Sequence, residues 1–185
     1  MLPLLLALFS LIQCIRSDDT ITRLYADRNP KHTDLVTANI RKATIEYVLD
    51  KEYATKKYGP IEMWDTSRVT DMSFLFFYGR CPVNSLKALC AQRIQNFNED
   101  LSNWDVSSVT SFESMFFSAY KFNADIRRWN TSSAEKISRM FFGAREFNAA
   151  IAGWDVSSVT ESDMMLKGAV NYIHDLSSWP IANLN

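Results

Sequence analysis

Residues 97–110 read FNEDLSNWDVSSVT, residues 122–135 read FNADIRRWNTSSAE, and residues 147–160 read FNAAIAGWDVSSVT. The phrase returns every 25 residues and places Trp104, Trp129, Trp154 and Trp179 in one phase, with Trp64 earlier. A fixed period of roughly 20 to 50 residues marks a stacked repeat architecture, because a single repeat cannot bury its apolar side chains without its neighbours.

Aligned on tryptophan, each repeat has the spacing apolar-x-x-Trp-x-apolar. The sets are Ile61/Trp64/Thr66, Leu101/Trp104/Val106, Ile126/Trp129/Thr131, Ile151/Trp154/Val156 and Leu176/Trp179/Ile181. That is the leucine-rich-repeat phrase L-x-x-L-x-L, which predicts a short strand. Phe112, Met115, Phe116 and Ala119 follow in one repeat, and Ile137, Met140, Phe141 and Ala144 in the next. Offsets of three and four suit one buried helical face. Thr110 with Glu113, and Thr160 with Asp163, have the spacing of a helix cap. The pattern therefore predicts an α/β fold: a short leucine-rich-repeat-like solenoid with one short strand and one short helix per repeat.

Working outward, the repeats occupy 61–185. The first interval, Trp64 to Trp104, is 40 residues long, so an insertion lies at about 80–94 and carries Cys81 and Cys90. Residues 34–60 predict a helical N-terminal cap, started by Thr33 or Asp34 and stopped by Gly59-Pro60. Residues 18–33 are polar and read as a flexible lead-in. Residues 1–17 hold an apolar run, Leu2 to Ile15, too short to span a bilayer and suited to a signal-peptide core; the alternative is a buried N-terminal helix. Cleavage after Ser17 would remove Cys14 and leave Cys81 and Cys90 to pair in an oxidising compartment. Closing so short a loop stabilises by about 2–3 kcal/mol in the chain-entropy model. After the last tryptophan stands Pro180, which blunts a strand edge if the array stops there.

At these residues the chain resembles the BspA-type leucine-rich-repeat surface proteins, whose repeat reads much like FN-x-D-[LI]-x-x-WDVS-x-VT-x-M-x-x-MF-x-x-A. Residues 44–76 resemble that family's lead-in as well. The resemblance implies secretion or surface display, with adhesion or protein binding as the working role. Several positions depart from the phrase. Ala150 stands where Asp100, Asp125 and Asp175 stand in the other repeats, Asn130 and Pro180 replace the Asp after Trp, and Lys167-Gly168 breaks the aromatic pair of Phe116-Phe117 and Phe141-Phe142.

Candidate functional residues are sought where the repeat leaves the side chain free. The two positions before each tryptophan vary: Glu62-Met63, Ser102-Asn103, Arg127-Arg128, Ala152-Gly153 and Ser177-Ser178. On strands these would line a concave binding surface, with Arg127-Arg128 chemically the most distinctive. Asn130-Thr131-Ser132 is an N-glycosylation sequon. The recurring Asp side chains read as turn formers rather than calcium ligands. The recurring Asn98, Asn123 and Asn148 read as buried amides that satisfy successive turns. A net charge of −1 without a basic block argues against nucleic acid. No enzyme signature, metal-ligand set or cofactor motif is present in the sequence, and no later segment is long and apolar enough to cross a membrane. The sequence thus predicts a secreted or cell-surface, non-enzymatic module that binds an extracellular protein or glycan. The alternatives are a structural segment that self-associates end to end through its C-terminal edge, and an accessory domain of a carbohydrate-active system.

Overall fold

The computed structural model describes residues 37–77, 79, 81 and 84–180. The signal peptide, the lead-in, the Thr33/Asp34 cap and Ile181 lie outside the described residues.

The helical stretch ahead of the repeats forms two helices rather than one, α1 (Thr37–Leu49) and α2 (Lys51–Tyr58). Asp50 separates them: its carboxylate accepts from the Tyr53 N–H at 3.0 Å and caps α2. Gly59, at φ 82°, ends α2 and donates its N–H to Thr55. The buried Glu46 of α1 accepts from Lys57 of α2 at 2.8 Å, which ties the pair together. The insertion contributes a third helix, α3 (Lys87–Gln95). A disulfide joins Cys81 to Cys90 and, with Leu49 and Leu86, forms a small apolar cluster of its own.

The repeats correct the expected fold class. Among the described residues there is no β-strand, and no α-helix lies within the 25-residue phrase, so the chain is not an α/β solenoid with a strand and a helix in each repeat. Each repeat is instead a closed rung of consecutive tight turns. The N–H of Trp104 returns to Leu101 O, Val109 to Val106, Met115 to Phe112, Ala119 to Phe116, and Phe122 to Ala119, at 2.9–3.1 Å. Each of these five turns opens and closes on a buried apolar residue, with its two middle residues at the corner. An apolar spacing of three suits such turns as well as it suits a helix face.

Backbone angles decide between the two. Ser114, Ser118, Arg139, Met164, Gly143 and Gly168 all have positive φ, in the third place of their turns. That is the place where a type II turn requires it and where a right-handed helix forbids it. The paired Thr and acidic residues do not cap helices; the Thr110 carbonyl accepts the N–H groups of Glu135 and Lys136 in the next rung.

Rungs are joined by backbone bonds in both directions, and one stretch of each rung donates only forward. The N–H groups of Phe112, Ser114, Phe116 and Ser118 donate to Lys136, Ser138, Met140 and Phe142 at 2.8–2.9 Å. Ile137, Arg139, Phe141 and Gly143 donate onward to Glu161, Asp163, Met165 and Lys167. Among the described residues only isolated parallel bridges satisfy a strand pattern, running from Asp71 through Ser111 and Lys136 to Glu161.

Aromatic columns fill the interior. Phe97, Phe122, Phe147 and Tyr172 stack at 6.2, 6.1 and 5.8 Å between ring centres. Phe76, Phe116 and Phe141 form a parallel column at 5.4 and 5.7 Å. Each such ring pair adds roughly 0.5–1.5 kcal/mol beyond the burial of its area. α1 and α2 close the first rung, where Tyr47 of α1 and Tyr58 of α2 meet Trp64 edge-on.

Candidate functional site

The phrase Asp-x-Ser after Trp64, Trp104 and Trp154, with Asn130 in place of Asp after Trp129, shapes the outer corner. Asp65, Asp105 and Asp155 accept from the backbone N–H groups of Ser67, Ser107 and Ser157 at 2.9–3.1 Å, and Asn130 does the same for Ser132 at 3.2 Å. Asp100, Asp125 and Asp175 repeat the device one turn earlier, on Ser102, Arg127 and Ser177. These are Asx turns, which fix the corner without the help of a helix or strand. The hydrogen bonds to Ser107 and Ser157 hold the carboxyls of Asp105 and Asp155 below the usual range. The sequon residue Asn130 is therefore an exposed turn residue rather than a strand residue.

The tryptophans lie in the core at 3–7 % exposure. Each indole also bonds to an earlier backbone carbonyl: Trp104 to Ile61 at 2.8 Å, Trp129 to Leu101 at 3.0 Å and Trp154 to Ile126 at 3.1 Å. A leucine could fill the volume but not make this bond.

The Asn ladder is present but sits at the surface, not buried. The Asn98 side-chain oxygen accepts from Asn123 N–H and that of Asn123 from Asn148 N–H, both at 2.8 Å; Asn98 and Asn123 are exposed.

The variable pairs do not alternate along strands. Glu62-Met63, Ser102-Asn103, Arg127-Arg128, Ala152-Gly153 and Ser177-Ser178 are the two middle residues of the turn that closes on tryptophan, and all are exposed. Because the rungs stack in register, the pairs stand at one corner, one above the other. Met63 is 69 % exposed at the capped end of this row. Arg127 is not a free cation: its guanidinium grips Asp125 through two bonds, at 2.9 and 2.7 Å, and holds that carboxyl at about 2.

Beside Arg127 the regularity of the column is broken. Ala150 lacks the carboxylate that Asp100, Asp125 and Asp175 supply at this position, and a groove of about 310 Å³ opens there. It is lined by Asn123, Asp125, Arg127, Asn148, Ala149, Ala150 and His174. His174 Nε2 lies 2.9 Å from the Asn148 carbonyl, which can only accept, so Nε2 donates to it. The groove thus combines a guanidinium, a carboxylate, two amides and an imidazole. Of the sequence-chosen residues only Arg127 lines it; Arg128, Ser102, Asn103, Glu62 and Met63 do not. The departure at Ala150 is the sequence signal that locates this groove.

Sequence reasoning also missed Arg41. It bonds to Asp71 at 2.6 Å, to Ser73 Oγ at 3.2 Å, and to the Ser73 carbonyl. In the inner rungs the corresponding carbonyls, of Glu113, Ser138 and Asp163, accept a backbone N–H from the preceding rung. Arg41 supplies that donor where no rung precedes.

Among the described residues no group of three or more His, Cys, Asp and Glu is arranged to hold a metal ion, and no helix is long and apolar enough to cross a membrane. Compared with known proteins, residues 43–179 match the family described as Mycoplasma protein of unknown function, DUF285. No curated protein and no solved structure matches the chain.

Proposed function

The chain belongs to the DUF285 family, and from that premise we infer that it is a non-enzymatic binding module, displayed on a cell surface or secreted, close in kind to the BspA-type surface proteins. One observation carries the reading. The repeat fixes backbone and core from rung to rung, while the exposed corner before each tryptophan changes chemically from Glu62-Met63 to Ser102-Asn103 to Arg127-Arg128. A rigid frame that presents a variable row is suited to recognition. Arg127, held by Asp125 at the lip of the groove, is preorganised to meet a partner without loss of side-chain freedom. The ligand class is an extracellular protein or glycan.

Self-association end to end is the weaker reading, because one end of the stack is already covered. In the last described rung the N–H groups of Met164, Leu166 and Gly168 have no partner among the described residues, so that edge offers donors. The complementary carbonyl edge is covered by α1, with Arg41 on Ser73.

The test is capture of extracellular proteins and an array of glycans by the wild-type protein and by the Arg127→Ser/Arg128→Ser variant. Loss of the bound species, by roughly tenfold or more in affinity, is the expected result. Binding unchanged by the double substitution sinks the corner-row assignment. N-terminal sequencing of the protein recovered from the medium should begin at Asp18; recovery only in the cell fraction with Met1 retained overturns the compartment.

A further inference from the structure

The groove beside Ala150 lacks one group and keeps the donors that the group would have met. We propose, building on the reading of Arg127 as a binding residue, that this groove binds a carboxylate carried by an acidic ligand, seated where the repeat leaves out its own.

In three rungs the carboxylates of Asp100, Asp125 and Asp175 accept the N–H of the second residue on, at 2.9, 3.2 and 2.8 Å. The matching donor after Ala150 is the N–H of the exposed Ala152, which has no partner among the described residues. The turn closes all the same, with the Trp154 N–H on the Ile151 carbonyl at 2.9 Å, so the fold does not need a carboxylate there.

Other donors converge on the groove. Arg127 spends Nε and one N–H of Nη2 on Asp125. A guanidinium carries five N–H groups, so the edge formed by Nη1 and Nη2 is left over, a fork that matches the two oxygens of a second carboxylate. Asn123 and Asn148 use their side-chain oxygens to accept, from the Asn148 N–H at 2.8 Å and the Ile173 N–H at 3.2 Å, so each NH₂ remains to donate. Charge selects the same ligand. Asp125 feels Arg127 first and Arg128 as well, so two guanidiniums attend one carboxylate, and a cation would be repelled. The column also tolerates carboxylates one rung apart: the Asp100 carboxyl stays below the usual range through its bonds to Ser102, despite Asp125 beside it.

The experiment is a titration of the intact protein at neutral pH with glucuronate and with N-acetylglutamate N-methylamide, followed by NMR at the Ala152 amide and the Asn123 NH₂. Glucuronamide serves as the uncharged comparator. Saturable shifts at millimolar concentration are expected with at least one carboxylate, with glucuronamide weaker by about fivefold or more. A response to glucuronate alone assigns the carboxylate to an acidic sugar, and a response to the glutamate compound alone assigns it to an acidic side chain; either supports the site. Ala150→Asp supplies the carboxylate from the chain itself. It should weaken binding by about tenfold or more while the melting temperature holds or rises, because the new side chain takes the Ala152 N–H. Asn123→Asp keeps the acceptor for the Asn148 N–H but replaces the donating NH₂ with a like charge, and should weaken binding by about fivefold or more. No shift with either carboxylate, glucuronamide binding as tightly, or binding that survives either substitution overturns the proposal. Ala150→Asp leaves Arg127 and Arg128 in place, so the two assignments fail separately. Capture lost in the double arginine variant but kept in Ala150→Asp would sink the carboxylate site and leave the corner row standing.

Discussion

Single residues show how the repeat is tuned. Tyr172 occupies the column position of Phe122 and Phe147, and its hydroxyl is buried without a partner among the described residues. Burial pushes its pKa up to about 12. An unpaired buried hydroxyl costs roughly 1–3 kcal/mol, so Tyr172→Phe should raise stability by about 1 kcal/mol in urea unfolding. Equal or lower stability would mean that the hydroxyl is satisfied in solution. The Asx carboxylates set the acid limit. Asp100, Asp105, Asp155 and Asp175 are lowered by hydrogen bonds to the second residue after each, and Asp125 lies at about 2 through Arg127. Folded values below the unfolded value near ~3.9 give a stabilisation that is present above that pH and lost as pH falls through the folded values. The melting temperature should therefore hold from pH 6 to about 5 and fall between about 4 and 2. Asp125→Asn keeps the Asx acceptor, as Asn130 shows, and should shrink that fall.

At the scale of the element, the turn replaces the helix, and a pair of substitutions separates the two. Arg139 is exposed at φ 56°, and Gly143 sits at φ 70° in the next turn of the same rung. In a helix, Arg139→Gly would destabilise and Gly143→Ala would stabilise, each by up to about 1 kcal/mol. In these turns both signs reverse. Arg139→Gly relieves a left-handed residue and should stabilise by roughly 0.5–1 kcal/mol, and Gly143→Ala should destabilise by a similar amount. A Cβ at Gly143 meets nothing closer than Ser118 Oγ at 3.5 Å, so the effect of Gly143→Ala reports the backbone and not a clash. The signs measured in chemical denaturation decide the matter.

At the scale of the molecule, stability comes from neighbours. No rung buries its rings alone, and one apolar cluster runs from Ile40 of α1 to Trp179. Such a stack unfolds as a chain of nearest-neighbour contacts. α1 covers one end with Arg41 and its buried face. α3 is fastened separately, since Cys81 and Cys90 belong to the smaller cluster with Leu49 and Leu86. Reduction should cost about 2–3 kcal/mol from loop closure and lower the melting temperature while leaving the aromatic columns intact. Retained tryptophan fluorescence with reduced far-UV helical signal would mark that outcome; a protein indifferent to reductant would show that packing alone holds α3.

The sequence by itself determined the period, the register, the residues of the core and the Asp-x-Ser corners, because each is written in a local spacing that any stacked arrangement must respect. It did not decide what joins those residues. A step of three between Phe112 and Met115, or between Phe116 and Ala119, serves a helix face and a tight turn alike, and L-x-x-Trp-x-V serves a strand and a turn alike. Ser118, Gly143 and Gly168 recurring in one phase were the legible sign of left-handed residues. The choice itself falls to the tertiary structure, because alternate N–H groups such as those of Phe112 and Ser114 find their carbonyls a full rung away, at Lys136 and Ser138, rather than four residues back. The groove at Ala150 likewise arises only when segments far apart in sequence are brought together.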